Sequence, residues 1–138
     1  VQAGLNNQAN NRWCGVNFLT FESTAVRDVH VLGDSIQVAP GMPKSGHMAN
    51  SQAKVAAAAI VAQLSGWEVN PAPMLNNTCY SFVDDKRVVH VASVHGYVPA
   101  EKTFKTIAGS GGLSPAPAEL EGTYAMNWAH NIWADTLG

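Results

Sequence analysis

The sequence predicts an α+β chain, on three observations. An alanine-dominated stretch at 47–64 has the length and composition of a single helix. Three runs of β-branched and aromatic residues between 78 and 107 are divided by turn residues, as in a small antiparallel sheet. An aromatic-bearing segment at 118–134 then follows a break rich in glycine and proline, and reads as a closing helix.

Residues 1–20 are polar and rich in asparagine, and are expected to be ordered only by what they pack on. Residues 21–28 make a turn-like approach to a short apolar strand at 29–32. That run is too continuous for a sheet with one wet face, so both faces are expected to be covered. A loop at 33–46 holds Pro40, Gly41, Pro43 and Gly46. The helix that follows has Ser45 or Asn50 as candidate caps and Gly66 as its stop. Its small side chains let neighbours approach closely, which predicts a buried helix. Beyond a boundary expected near Asn70, strands are predicted at 78–83, 87–97 and 102–107, with a tight turn at 84–86. The Gly-Ser-Gly-Gly run at 109–112 is read as a break.

Composition narrows the function. The chain has 138 residues, a formal charge of −2 and 46% apolar residues, enough for a core. There is no basic run, which argues against nucleic acid. No apolar stretch reaches the roughly 20 residues that span a bilayer. Two cysteines, Cys14 and Cys79, form no Cys-x-x-Cys and no cluster with histidine, which excludes a zinc site. They can be core thiols, a disulfide or a redox cysteine. His90 and His95 lie five apart on one strand and so face opposite sides.

The candidate site begins with Gly33-Asp34. A carboxylate at the end of a buried strand accepts hydrogen bonds from a ribityl or ribose hydroxyl, and the glycine permits close approach. The N-terminus of the next helix offers N–H groups and a positive dipole to an anionic edge. A turn role for Gly-Asp is the commoner use of such a pair. Lys44 can neutralise an anion or stay solvated. Cys79 sits where a loop becomes a strand, and Tyr124 and Trp128 stand one helical turn apart, either as core or as a wall against a flat ligand.

"TAVRDVHVLGD" (24–34) resembles the second flavin-binding motif of disulfide-reductase-like flavoproteins: a threonine, six residues, two apolar residues, then Gly-Asp. "PKSGHMANSQAKVAAAAIVAQL", "NTCYSFV" and "NWAHNIWADTLG" are similar, in that order, to the C-terminal third of the flavin subunit of flavocytochrome c sulfide dehydrogenase. The resemblance covers nearly the whole chain.

It implies an FAD-dependent, periplasmic sulfide oxidoreductase that passes electrons to a c-type cytochrome subunit carrying the haem. The strand–loop–helix of residues 1–70 would complete the FAD-binding domain, and residues 71–138 would cover the flavin and help to meet the cytochrome. The glycine-rich loop and the rest of the site would lie in an N-terminal remainder of the same polypeptide, so that this chain alone would be inactive. Position by position, Asp34, with Gly33, would hold the ribityl chain. Lys44, Ser45, Gly46 and His47 would flank the pyrimidine edge, Thr78 and Trp128 would lie near the flavin, and Cys79 would be one cysteine of a redox disulfide. His47 stands where relatives carry a tyrosine. Two other readings compete: a quinone- or NADH-linked flavin enzyme of the same superfamily, and a non-enzymatic interaction domain.

Overall fold

The computed structural model describes residues 4–6, 9 and 11–138. A 3-10 turn at Gly33–Ser35 precedes helix α1 (Gly46–Ser65). Strands β1 (Met74–Phe82), β2 (Val88–Val98), β3 (Thr103–Thr106) and β4 (Gly112–Leu113) follow, and helix α2 (Glu119–Leu137) closes the chain. The α+β class expected from the sequence is the class observed. Part of the polar 1–20 segment, namely residues 1–3, 7, 8 and 10, lies outside the described residues.

Helix α1 starts and stops where its chemistry dictates. Ser45 has extended backbone, and its Oγ accepts the Met48 N–H at 3.0 Å, which satisfies one of the donors a helix start leaves without an intrahelical acceptor. At the other end Gly66 adopts φ 68°, left-handed, and its N–H bonds to carbonyls of the last turn. Glycine takes that conformation without steric cost. Asn50, the other candidate cap, lies inside the helix. Burial is one-sided: Met48, Gln52, Ala56, Ala59 and Ala62 face the core, while Val61 and Leu64 face outward.

All strand pairings are antiparallel. β2 is central; β1 runs along one side of it, from Met74 opposite Gly96 to Phe82 opposite Val88. On the other side β3 pairs with residues 95–98 and β4 with residues 91–92. β1 begins four residues before the expected 78. Asparagine is depleted in strands, so Asn76 and Asn77 argue locally for a loop. They are held in the strand by partners on α1. Asn76 donates its N–H to Ser51 Oγ at 3.2 Å and accepts from His47 Nδ1 at 3.2 Å, while the Ser45 hydroxyl donates to Asn77 Oδ1. The β1–β2 turn is tied by Asp84, whose carboxylate accepts from the Lys86 and Arg87 N–H groups and from Arg87 Nε. Those bonds pull its pKa down to about 2.

Residues 29–32 form no named strand. Their one ladder contact is an isolated bridge between Glu22 and His30. The bonds beside it, from the Ser23 N–H to the Val29 carbonyl and from the Val31 N–H to the Phe21 carbonyl, do not extend into a longer ladder. β4 overlaps the glycine run read as a break at Gly112, which pairs with Ala92 as Leu113 pairs with Val91.

The core gathers Phe21, Ile36, Ala39, Met42, Met48, Ala56, Leu75 and Phe104, and so draws on the N-terminal loops, α1, β1 and β3 together. Phe104 is fully buried and meets Phe18 and Tyr97 edge-on, with ring centroids 5.8 and 5.6 Å away. Helix α2 docks through a reciprocal pair of backbone bonds between Ala118 and Val88, and through Gly122, which sits directly against the Lys86 carbonyl.

Candidate functional site

The sequence-selected residues fall into three linked groups around the N-terminus of α1. In the first, Gly33 adopts φ 72° and its N–H donates to Oε1 of the buried Gln52 at 2.7 Å, which ties the 3-10 turn to the helix. A Cβ at Gly33 would come within 3.5 Å of the Ala49 Cβ, so the approach is close as well as left-handed. Asp34 is exposed, and its carboxylate has no partner among the described residues. Its backbone carbonyl is held by Lys44 Nζ, which also donates to the Ile36 carbonyl at 3.2 Å and lies 3.6 Å from the centre of the Trp13 ring. Lys44 is exposed, but its ammonium is engaged. It fastens the loop, and its charge rests on an aromatic face.

The second group runs from the helix into the sheet. The Ser45 hydroxyl donates to Asn77 Oδ1, and Asn77 Nδ2 lies 3.5 Å from Cys79 Sγ. Cys79 is half-buried, and neither it nor Cys14 is in a disulfide, so a Cys14–Cys79 bridge is not formed. Cys14 instead pairs through its backbone with Ser35 and Gln37, alongside the Gly33 turn.

The third group is aromatic. His47 stacks on Trp128 with ring centroids 5.2 Å apart and planes 14° from parallel. Trp128 meets Tyr80, and Tyr80 meets His90, each pair with centroids 6.4 Å apart. His90 and Ser114 both bond Glu121 on α2. Alternation along β1 puts Thr78 on the same face as Tyr80, and Asn77 and Cys79 on the other. The structure thus joins Ser45 to Cys79 and His47 to Trp128, on opposite faces of one strand. Tyr124, by contrast, is half-exposed and packs no core stripe with Trp128.

Asn77, Tyr80, Gln52 and Trp13 were not singled out by the sequence. Asn77 fell just before the strand expected from 78, so its place on the cysteine's face emerges only from the earlier start of β1.

Electrostatics follow burial. Desolvation lowers the His47 pKa below its ordinary 6.5, against the opposing hydrogen bond to the Asn76 carbonyl. Desolvation likewise lowers that of His95, which lies on the face of β2 opposite to His90, fully buried and bonded to Ser93. Burial, then the Glu121 charge, raises the Tyr80 pKa. Hydrogen bonds from Ser114 and His90 lower that of Glu121.

A histidine whose folded-state pKa is depressed adds stability above its unfolded value, and that stability is lost as pH falls through the ordinary histidine range toward the folded value. The urea midpoint is therefore expected to fall between pH 7.5 and pH 5.5, at a window above the carboxylate range. Each proton taken up on unfolding contributes at most about 1.4 kcal/mol per pH unit. A midpoint that rises on acidification would refute the burial account.

The described residues contain no cluster of His, Cys, Asp or Glu able to hold a metal, and no helix long and apolar enough to cross a membrane. What the three groups offer together is a thiol, an open carboxylate, a helix N-terminus and flat ring faces around one strand edge. Residues 71–137 match the family model described as flavocytochrome c sulphide dehydrogenase, flavin-binding.

Proposed function

We propose that the chain supplies the C-terminal part of the flavin site of an FAD-dependent, periplasmic sulfide dehydrogenase. In this reading a c-type cytochrome subunit takes the electrons, and an N-terminal stretch of the same polypeptide completes the site. The observation that carries the reading is the link from the α1 N-terminus through Ser45 and Asn77 to Cys79, which lies in the stretch matched by the flavin-binding family model.

The residues present fit such a cofactor. Asp34 offers an unengaged carboxylate to ribityl hydroxyls. With the Met48 and Ala49 N–H groups taken by Ser45, those of Gly46 and His47 remain for a pyrimidine carbonyl, and a Cβ at Gly46 would meet nothing within 4 Å. Thr78 and Trp128 supply a second wall. The chemistry that FAD supplies when bound is acceptance of an electron pair and its release as single electrons. Cys79 is read as one sulfur of a disulfide whose partner lies in the N-terminal stretch. Attack by HS⁻ breaks the S–S bond, leaves a persulfide on one cysteine and frees the other as a thiolate. Exposed Leu64, Trp67, Leu120 and Leu137 support further protein packing on this chain.

The test is an anaerobic sulfide titration of the whole polypeptide, followed in the visible flavin bands. Bleaching by sulfide, reversed by a c-type cytochrome, is the expected result. A flavin that dithionite bleaches and sulfide does not would overturn the substrate assignment.

A further inference from the structure

Asn77 is one of the few polar side chains removed from solvent, with 3% of its surface exposed, and it separates the helix start from the cysteine. Its amide orientation follows from the bonding around it. Ser45 Oγ already accepts the Met48 N–H at 3.0 Å, so its own proton is free to donate. Asn77 must therefore turn its oxygen to Ser45, as the Ser45–Oδ1 bond shows. That leaves the NH₂ group directed at Cys79 Sγ, at 3.5 Å. The carboxamide oxygen lies 3.8 Å from the same sulfur, close enough for a neutral thiol to donate to it. One buried amide can thus meet the sulfur as donor or as acceptor.

We propose that Asn77 is the positioning residue for Cys79: held by the Ser45 cap, it fixes the rotamer of the sulfur and donates a hydrogen bond to the thiolate released in the redox cycle. The assignment deepens the proposed sulfide chemistry and rests on it for its functional meaning. In this geometry the amide N–H lies on one side of the sulfur and gives the released thiolate a fixed donor. Among the described residues, no charge on the same face takes that place. On β2 the residues opposite Leu75, Asn77 and Cys79 are His95, Ser93 and Val91, and His95 is kept neutral by desolvation. On the adjoining loop, Lys44 is committed to two carbonyls and the Trp13 ring. At the start of α1, His47 turns to Asn76 and Trp128 on the opposite face of β1, and the Asp34 carboxylate points to solvent.

The test is Asn77→Asp in the full polypeptide, reduced, with Cys79 alkylation by iodoacetamide followed against pH and read on the peptide that contains Cys79. Aspartate keeps the acceptor for Ser45 but removes the donor and adds a negative charge beside the sulfur. Alkylation at pH 7 is expected to slow about tenfold, and the rate–pH curve to move to higher pH. Ser45→Ala, which keeps Asn77 but unfastens it, is expected to slow alkylation about threefold, and it serves if Asn77→Asp does not fold. Curves unchanged from wild type in the folded variants would overturn the assignment. The assay needs no sulfide turnover, so it separates the two readings. A shifted alkylation curve with normal sulfide bleaching in Cys79→Ser would leave Asn77 controlling a thiol that the reaction does not use.

Discussion

Gly122→Ala is expected to destabilise the chain by about 3 kcal/mol, although alanine is the better helix former. In an ordinary helix interior the same change would gain about 1 kcal/mol. Here an added Cβ would fall 2.0 Å from the Lys86 carbonyl oxygen and 3.2 Å from its carbon. Both are backbone atoms of the β1–β2 turn, which Asp84 fastens, so nothing nearby swings aside cheaply. Relief requires α2 to lift from the sheet. That breaks the Ala118–Val88 pairing and carries Trp128 away from His47. Urea denaturation followed by circular dichroism checks the result. A midpoint equal to or above wild type would show that the helix can shift without cost and that the contact does not hold α2 in place.

Cys79→Ser in the whole polypeptide is expected to slow flavin reduction by sulfide by at least about a thousandfold, the scale on which enzymes lose rate with their reacting nucleophile. Serine matches the volume and keeps a hydrogen bond with Asn77, so the fold is expected to be unchanged. What disappears is the sulfur that can form and release an S–S bond. Reduction by dithionite must remain intact in the variant, since that route does not use the cysteine. If sulfide bleaches the variant as fast as the wild type, Cys79 is structural.

The legible parts of this fold are those with strong local chemistry. Ser45 and Gly66 marked both ends of α1 because a cap hydroxyl and a left-handed glycine act within a few residues. The β1–β2 turn was legible for the same reason, since Asp84 bonds its own neighbours. Non-local bonding hid the rest. The early start of β1 depends on α1 side chains that hold Asn76 and Asn77 from 25 and 32 residues away. β4 depends on its pairing with Val91 and Ala92, and residues 29–32 meet the 21–23 segment only through an isolated bridge. In the candidate site, residue types and their spacing picked out Gly33, Asp34 and Cys79 as candidates and Ser45 as a cap, and the resemblance alone put Ser45 in the site. The couplings that give them context could not be read: Gln52 to Gly33, Asn77 between Ser45 and Cys79, and Trp13 under Lys44 each close a gap between distant segments.

The bonds from His47 and Ser51 to the backbone of Asn76 also bear on how the molecule keeps to itself. At that point β1 has no neighbouring strand on its outer side among the described residues, and an unpaired edge invites strands from other copies to add on. The helix occupies the place of such a newcomer and takes up both the free N–H and the free carbonyl. An open strand edge is thus stopped by two polar side chains rather than by a charge or a proline. Losing either of them would be felt first as a tendency to aggregate, before any change in the fold of a single copy.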